Sequence, residues 1–314
     1  MERTEKQFSF SNFVGPKLCI FLKIDSFVFQ KWICMENKSK HIGLFQVRRM
    51  WGRLDLQWEG IHDDVNILVG INGCGKTTLL NLMSDYYTGQ KIKKGIAESV
   101  SGTAIGSPVT YIRSFDVPAN AKKKTESMLL QELKHVINQN GEGTSFFDYR
   151  MKMLNYPDKA SMIQKRIDTF FKLVNALFEE TGKEIAINPQ NNTLVFSIRG
   201  TRGKLVTKDG ENIVDSEENK IYVPDEKIQL DQLSSGEKQM LLILTTVFLQ
   251  EEKPNVLLID EPEISLHISW QDHLIEWIRQ LNPYCQVILS THSPNIFANG
   301  WEDKIVFIQD LERS

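Results

Sequence analysis

Residues 65–78 constrain the fold of this chain more than any other stretch. Val65-Asn66-Ile67-Leu68-Val69 has the length and apolar character of a buried strand, and Leu79-Leu80-Asn81-Leu82-Met83 continues as a helix. Between them runs Gly70-Ile71-Asn72-Gly73-Cys74-Gly75-Lys76-Thr77-Thr78, which fits the phosphate-binding pattern G-x-x-x-x-G-K-[ST]. Glycine lets the backbone fold close around phosphate oxygens, where a side chain would block it. The loop N–H groups and the new helix N-terminus then face the anion. Asn72, Gly73, Cys74, Gly75, Lys76, Thr77 and Thr78 are the candidate cradle. In such a loop the lysine reaches the β- and γ-phosphates and the threonine hydroxyl holds Mg²⁺.

A second strand-like run, Val256-Leu257-Leu258-Ile259-Asp260-Glu261, ends in two carboxylates. A buried parallel strand releases its acids at the C-terminal edge, where α/β sheets bind ligands. Asp260 is the candidate Mg²⁺ ligand beside Thr77, and Glu261 the candidate for polarising an attacking water. Pro262 stops the strand, and Ser265 to Leu281 reads as one helix. Gln286 to Ser290 reads as the next strand, with Thr291-His292-Ser293 at its end and His292 able to donate to a γ-phosphate. Upstream, Leu233-Ser234-Ser235-Gly236-Glu237-Lys238-Gln239 precedes a helix from Met240 to Leu249 that is apolar nearly all round and therefore buried. Ser234 and Ser235 are its candidate N-caps.

The rest of the chain reads in order. Residues 8–34 are rich in Phe, Ile and Val but interrupted by Lys17, Lys23, Asp25 and Lys31. Two readings stay open, a strand-forming extension or a true start at Met35. Three strands follow between Ile42 and Val69, with a turn at Trp51-Gly52. Lys91 to Ala104 is polar and reads as loop, and Val109 to Arg113 as strand. Lys122-Lys123-Lys124 reads first as a solvated face, with a nucleic-acid contact as the alternative. Helices are predicted over 127–137 and 161–178, the second carrying Ile163, Ile167, Phe170, Phe171, Val174 and Leu177 on one face. Thr193 to Arg199 alternates as a strand that can pair with Lys204 to Thr207. Lys304 to Ile308 is the last predicted strand.

Of the 314 residues 41% are hydrophobic and 25% charged, with a net charge of -3, so composition gives no global bias toward nucleic acid. Cys19, Cys34, Cys74 and Cys285 form no C-x-x-C pair, which argues for a reducing compartment without disulfides or a zinc site. Cys74 stands where the loop needs a small side chain, and a phosphate-binding loop can make it oxidisable. There is no apolar run of about 18 residues, so no membrane span is expected.

Together and in this order, these stretches resemble the ATPase heads of the ABC class. Gly70 to Thr78 resembles Walker A, Leu233 to Gln239 the L-S-G-G-Q signature, and Val256 to Glu261 Walker B with its catalytic glutamate. Glu263-Ile264-Ser265-Leu266-His267 is similar to the D-loop region, and His292 to the switch histidine. The wording of the signature and of Glu261-Pro262-Glu263 is similar to the branch containing RecF, the overcoming-lysogenisation nucleases and stand-alone bacterial AAA-family ATPases. Many of these belong to anti-phage defence operons of the Septu and retron types.

The resemblance implies an α/β fold, an ABC-ATPase (P-loop NTPase) head with an N-terminal antiparallel β layer and a mixed or parallel core sheet flanked by helices. Residues 41–121 and 185–314 would form the head, 122–184 an inserted, mainly helical lobe, and 1–40 an N-terminal extension. It implies ATP and Mg²⁺ as cofactors, with Glu261 and His292 catalytic and Thr77 and Asp260 on the metal. It further implies a homodimer, open to higher oligomers, in which Ser234 and Gly236 of one head touch the γ-phosphate held by the other. A cytoplasmic ATPase that switches a defence complex follows, with a separate nuclease or effector partner and DNA or RNA as a further partner. The alternatives are a RecF-like repair ATPase, a transporter's nucleotide-binding subunit, and a non-catalytic clamp. Two departures stand out. Ser235 replaces a signature glycine, and Ser114-Phe115-Asp116 stands where a Q-loop glutamine would follow the Val109 strand. Arg49, Met50 and Trp51 are the candidates for the adenine side.

Overall fold

The computed structural model describes residues 38–115, 126–138, 145–188, 193–198 and 226–313. The N-terminal extension up to residue 37, the Lys122–Lys124 cluster and the strand predicted at 204–207 lie outside the described residues.

The centre is a parallel sheet of five strands: β3 (Val65–Val69), β5 (Val109–Ile112), β9 (Asn255–Asp260), β10 (Cys285–Thr291) and β11 (Ile305–Phe307). Their spatial order is β11-β3-β10-β9-β5, every neighbouring pair parallel. Each residue of β9 and β10 is buried, as expected for strands covered on both faces. Alternation along the strands feeds two cores. Leu257, Ile259, Val287 and Leu289 face one, and Val256, Leu258 and Ile288 face the other.

The second core is closed by helix α1 (Lys76–Thr88) and by an antiparallel layer of β1 (Leu44–Met50), β2 (Leu54–Glu59), β4 (Ser99–Gly102) and β12 (Glu312–Arg313), ordered β12-β2-β1-β4. Strand β4 corrects the reading of Lys91 to Ala104 as loop. Its sequence Ser-Val-Ser-Gly carries no strong alternation, and its pairing with β1 (Phe45↔Gly102, Val47↔Val100) is what makes it a strand. A β-bulge between Val47 and Met50 re-aims the end of the β1–β2 hairpin, with Arg49 and Trp51 in left-handed backbone.

The first core is closed by α2 (Met128–Asn138), α3 (Phe146–Asn155), α4 (Ala160–Phe178), α5 (Ser235–Leu249) and, after the short α6 (Ile268–Gln271), α7 (Leu274–Leu281). Helix α3 is absent from the sequence reading. The stretch 265–281 forms a 3₁₀ turn (Pro262–Ser265), α6 and α7 rather than one helix. The break lets Trp270 and Gln271 turn inward in α6 while Leu274, Ile275, Ile278 and Leu281 of α7 bury a different face. Helices α2, α3 and α4 share one hydrophobic cluster with α5 and the central sheet. Phe170 and Tyr149 pack on Phe248 of α5 with ring centroids 4.8 and 4.9 Å apart. The Arg166 guanidinium lies over Phe248 and donates to its carbonyl at 3.1 Å. Beyond that helix end, Glu251 and Glu252 both hold left-handed backbone, tied by Lys152 (2.5 Å) and Arg166 (3.0 Å) from α3 and α4.

A third, antiparallel sheet joins β6 (Lys183–Ile187), β7 (Leu194–Ile198) and β8 (Glu226–Ile228) in that order. Strand β7 falls where alternation predicts it, and its described partners are β6 and β8. No described helix is long and apolar enough to cross a membrane.

Candidate active site

The sheet order sets the site. Strand β10 lies between β3 and β9, so the C-terminal ends of all three open on one edge. The glycine loop leaves β3 there and turns into α1. Two of its glycines are sterically required. A Cβ on Gly70 would meet Cys74 Sγ and Ile308 Cγ2, each at 2.7 Å. Gly75 has φ +107, and a Cβ on it would meet Met50 Cε at 2.8 Å and Trp51 Cη2 at 2.9 Å. The bulged hairpin therefore seats Met50 and Trp51 against the loop. Arg49 points to Glu98 instead, at 3.6 Å. Asn72, Gly73 and Thr77 are exposed, while Cys74 and Thr78 are half-buried.

Five of the predicted functional side chains meet in two contact groups around this loop. The buried Lys76 ammonium donates to Gly70 O at 3.1 Å, lies 2.5 Å from His292 Nε2, and stands 3.9 Å from Glu261 Oε1. His292 Nε2 is 3.3 Å from the same carboxylate oxygen. Beside them, Thr77 Oγ1 donates to Asp260 Oδ1 at 3.2 Å, and Ser290 Oγ donates to the same oxygen at 2.5 Å. Asp260 Oδ2 is buried and has no hydrogen-bond partner among the described residues.

Glu261 adopts left-handed backbone (φ 46, ψ 57), with its N–H donating to Ser290 O at 3.0 Å. This is sparsely populated geometry for a residue with a side chain, and it turns the carboxylate back toward Lys76 and His292. Burial first, and then the neighbouring Asp260 carboxylate, push the Glu261 carboxyl above its ordinary pKa, against the opposing pull of Lys76 and His292.

Sequence reasoning missed two supporting groups. Ser290 holds both Asp260 and the Glu261 N–H, and Glu263 Oε1 accepts from the His292 N–H at 2.6 Å. Each lies two residues from a predicted site residue, which was the signal available.

The fit to a divalent cation can be judged from the donors. Among the described residues no three His, Cys, Asp or Glu side chains cluster as a metal site. The chain offers a hydroxyl and one free carboxylate oxygen, Thr77 Oγ1 and Asp260 Oδ2. That donor set suits Mg²⁺ held jointly with phosphate oxygens and waters rather than in a protein cage.

The Ser234 stretch sits elsewhere. Ser234 caps α5, its Oγ accepting from Glu237 N at 3.2 Å while Glu237 Oε2 accepts from Ser234 N at 2.7 Å. Glu237 is fully buried and takes two bonds from Lys183 Nζ of β6, at 2.7 and 2.9 Å. A Cβ on Gly236 would lie 2.5 Å from Ser265 O, so glycine lets the start of α5 pack on the turn after Glu261. Gln239 Nε2 donates to Pro262 O at 2.9 Å across the same contact. Gly236 is buried, Ser234 and Ser235 are exposed, and no hydrogen bond among the described residues joins them to Lys76, Glu261 or His292.

Residues 157–298 match the domain family described as "AAA domain, putative AbiEii toxin, Type IV TA system". Over those residues the chain is similar to AAA-family domains. The matched span takes in Ser234, Asp260, Glu261 and His292 and begins after the Gly70–Thr78 loop. A curated relative, the "Retron Vc95 probable ATPase" of Vibrio cholerae serotype O1 biovar El Tor, is 30% identical over 97 residues. That alignment covers 27% of this chain and 19% of the relative's length. Among solved structures, the SMC head bound to the C-terminal winged-helix domain of ScpA aligns at 13% identity and TM-score 0.48, over 85% of this chain and 93% of that one. Stu0660 of Streptococcus thermophilus aligns at 13% identity and TM-score 0.46, over 86% and 75%.

Proposed function

We propose that this chain binds ATP with Mg²⁺ at the Gly70–Thr78 loop and hydrolyses it, in a site completed by the Ser234 stretch of a second copy. The observation that carries the reading is the convergence of Lys76, Glu261 and His292 beside Thr77 and an Asp260 oxygen that no described residue engages. Lys76 holds the β- and γ-phosphates. Glu261 takes the proton of the attacking water, and His292 donates to the γ-phosphate. Thr77 and Asp260 hold the metal, which when bound neutralises phosphate charge. The backbone N–H groups of Asn72, Gly73, Cys74 and Gly75, with those of Lys76, Thr77 and Thr78 at the start of α1, cradle the phosphates.

A second copy is supported by two features. The capped start of α5 is an exposed helix N-terminus that no hydrogen bond among the described residues joins to Lys76, Glu261 or His292, a ready seat for a γ-phosphate held by another chain. Apolar side chains also stand in solvent around the site. Ile71 in the loop is 72% exposed and Ile268 59%, with Ile264 and Phe307 also exposed. Covering them stabilises a face-to-face dimer. ATP bridging both surfaces favours the closed pair, and hydrolysis releases it.

The raised pKa of Glu261 gives the reading a pH test. A base with a raised pKa takes up its proton at a higher pH than an ordinary glutamate. The rate of phosphate release is therefore expected to fall with decreasing pH while still above the usual glutamate value of about 4.3. An acid limb at or below that value contradicts Glu261 as the base. No phosphate release at any pH contradicts the ATPase reading itself.

The likeness to a retron ATPase supports placing this activity in a defence complex whose nuclease or effector is a separate chain. Stable co-purification with a nuclease encoded beside it agrees with that role, and co-purification with a membrane permease refutes it.

A further inference from the structure

After β5 the chain continues Arg113-Ser114-Phe115-Asp116 with no glutamine there, and among the described residues buried polar atoms at that end of the sheet have no partner. The Tyr111 hydroxyl and Asp260 Oδ2 are both buried without a hydrogen bond among the described residues. Buried polar atoms are overwhelmingly paired, so two such atoms beside one candidate metal site call for a shared ligand.

The register shows why they belong together. Strand β5 runs parallel to β9, with Tyr111 opposite Leu258 and Ile112 opposite Ile259. Tyr111 and Leu258 pack in the core beneath α1, while Ile112 and Ile259 pack in the other. Alternation carries Asp260 to the same face as Leu258, where Thr77 of α1 meets it. Tyr111 and Asp260 thus stand on adjacent strands, on one face, at the edge where the glycine loop begins. Burial, and next the Asp260 carboxylate, keep the phenol protonated, with Arg113, Asp85 and Glu261 the other charged groups that act on it. A neutral phenol can accept a hydrogen bond and donate one at the same time.

We propose that the Tyr111 hydroxyl, in place of a Q-loop glutamine, holds a water of the metal's hydration shell against Asp260. Mg²⁺ keeps several waters when phosphates and one carboxylate bind it, and such outer groups set metal affinity. The phenol oxygen accepts from the metal-bound water. Its proton is left to donate to a carboxylate or phosphate oxygen. Tyr111 is a positioning residue, acting on the metal through water. The assignment rests on the nucleotide reading above.

The test is a titration of the full chain with Mn²⁺, followed by electron paramagnetic resonance, with a non-hydrolysable ATP analogue present. Tyr111→Phe removes the hydroxyl and keeps the ring. It is expected to weaken Mn²⁺ binding by about 10-fold or more, with no fall in the melting temperature of the nucleotide-free protein. Unchanged Mn²⁺ affinity in Tyr111→Phe, beside normal wild-type binding, overturns the Tyr111 assignment alone. So does a lower melting temperature without nucleotide, because it shows the hydroxyl serving a bond inside the protein. Wild-type protein that takes up no Mn²⁺ with the analogue overturns the nucleotide reading, and the assignment with it.

Discussion

Replacing Glu261 by glutamine is expected to cut ATP hydrolysis by about 10²–10⁴-fold, the usual contribution of a positioned general base, while ATP binding persists. The amide keeps the size and shape of the side chain but cannot take the proton of the attacking water. Lys76, Thr77 and Asp260 remain, so the phosphates and metal keep their contacts. Loss of the negative charge 3.9 Å from Lys76 and 3.3 Å from His292 also frees both for phosphate. The comparison that matters is phosphate release against equilibrium nucleotide binding. A variant that hydrolyses at the wild-type rate removes Glu261 from the chemistry. A variant that loses both hydrolysis and binding assigns Glu261 to the ground-state site instead.

The largest effect on stability is expected at Lys183. Its ammonium is the partner of Glu237, a carboxylate with no solvent exposure at the first turn of α5. Burial alone would raise the Glu237 pKa, but the bonds from Lys183 and the Ser234 N–H outweigh it and hold the carboxyl below its ordinary value. Lys183→Met leaves that charge buried and unpaired, which costs about 3–5 kcal/mol. The same carboxylate is half of the capping box, accepting from the Ser234 N–H, so its strain is felt at the start of α5. Chemical denaturation measures the loss, and the double variant Lys183→Met, Glu237→Gln should regain much of it. The pH dependence has a defined sign. A carboxyl with a depressed folded pKa contributes stability above its unfolded value, and that contribution is lost as pH falls through the folded one. The gap between wild type and Lys183→Met therefore narrows in acid. A single variant as stable as wild type would show that the ion pair is not what holds the start of α5.

What the sequence made legible, and what it hid, follows from how local each signal is. The glycine loop, Asp260-Glu261 and His292 each sit at the end of an apolar run, so strand length and edge position could be read from neighbours alone. The topology then brought them together, because β10 lies between β3 and β9. Lys183 and Tyr111 carried no such mark. The partner of Lys183 lies 54 residues away, and Tyr111 reads as one more aromatic in a strand until its register with β9 is known. Strand β4 is too short and polar for its alternation to be read from sequence, and its pairing with β1 makes it a strand. Gly236 read as a ligand contact, and its packing on Ser265 O adds an internal reason for glycine that motif spacing could not supply.

The same packing explains why the helices between β5 and β6 are poor targets for deletion. Phe146, Phe170 and Ile167 share a cluster with Phe248 and the central strands, so removing them opens the core that supports Glu261. Point changes on the exposed surface are the informative route.

The central claim is that each site takes its loop from one chain and its Ser234 stretch from another. Mixing two inactive variants tests it directly. Lys76→Ala removes the phosphate lysine, and Ser234→Arg places a bulky cation at an exposed position of the α5 start. Each alone is expected to be inactive. In a mixed pair, the intact loop of one chain faces the intact Ser234 stretch of the other, so phosphate release should reappear on mixing. Two variants that stay inactive together, although each still folds and pairs, would contradict a shared site.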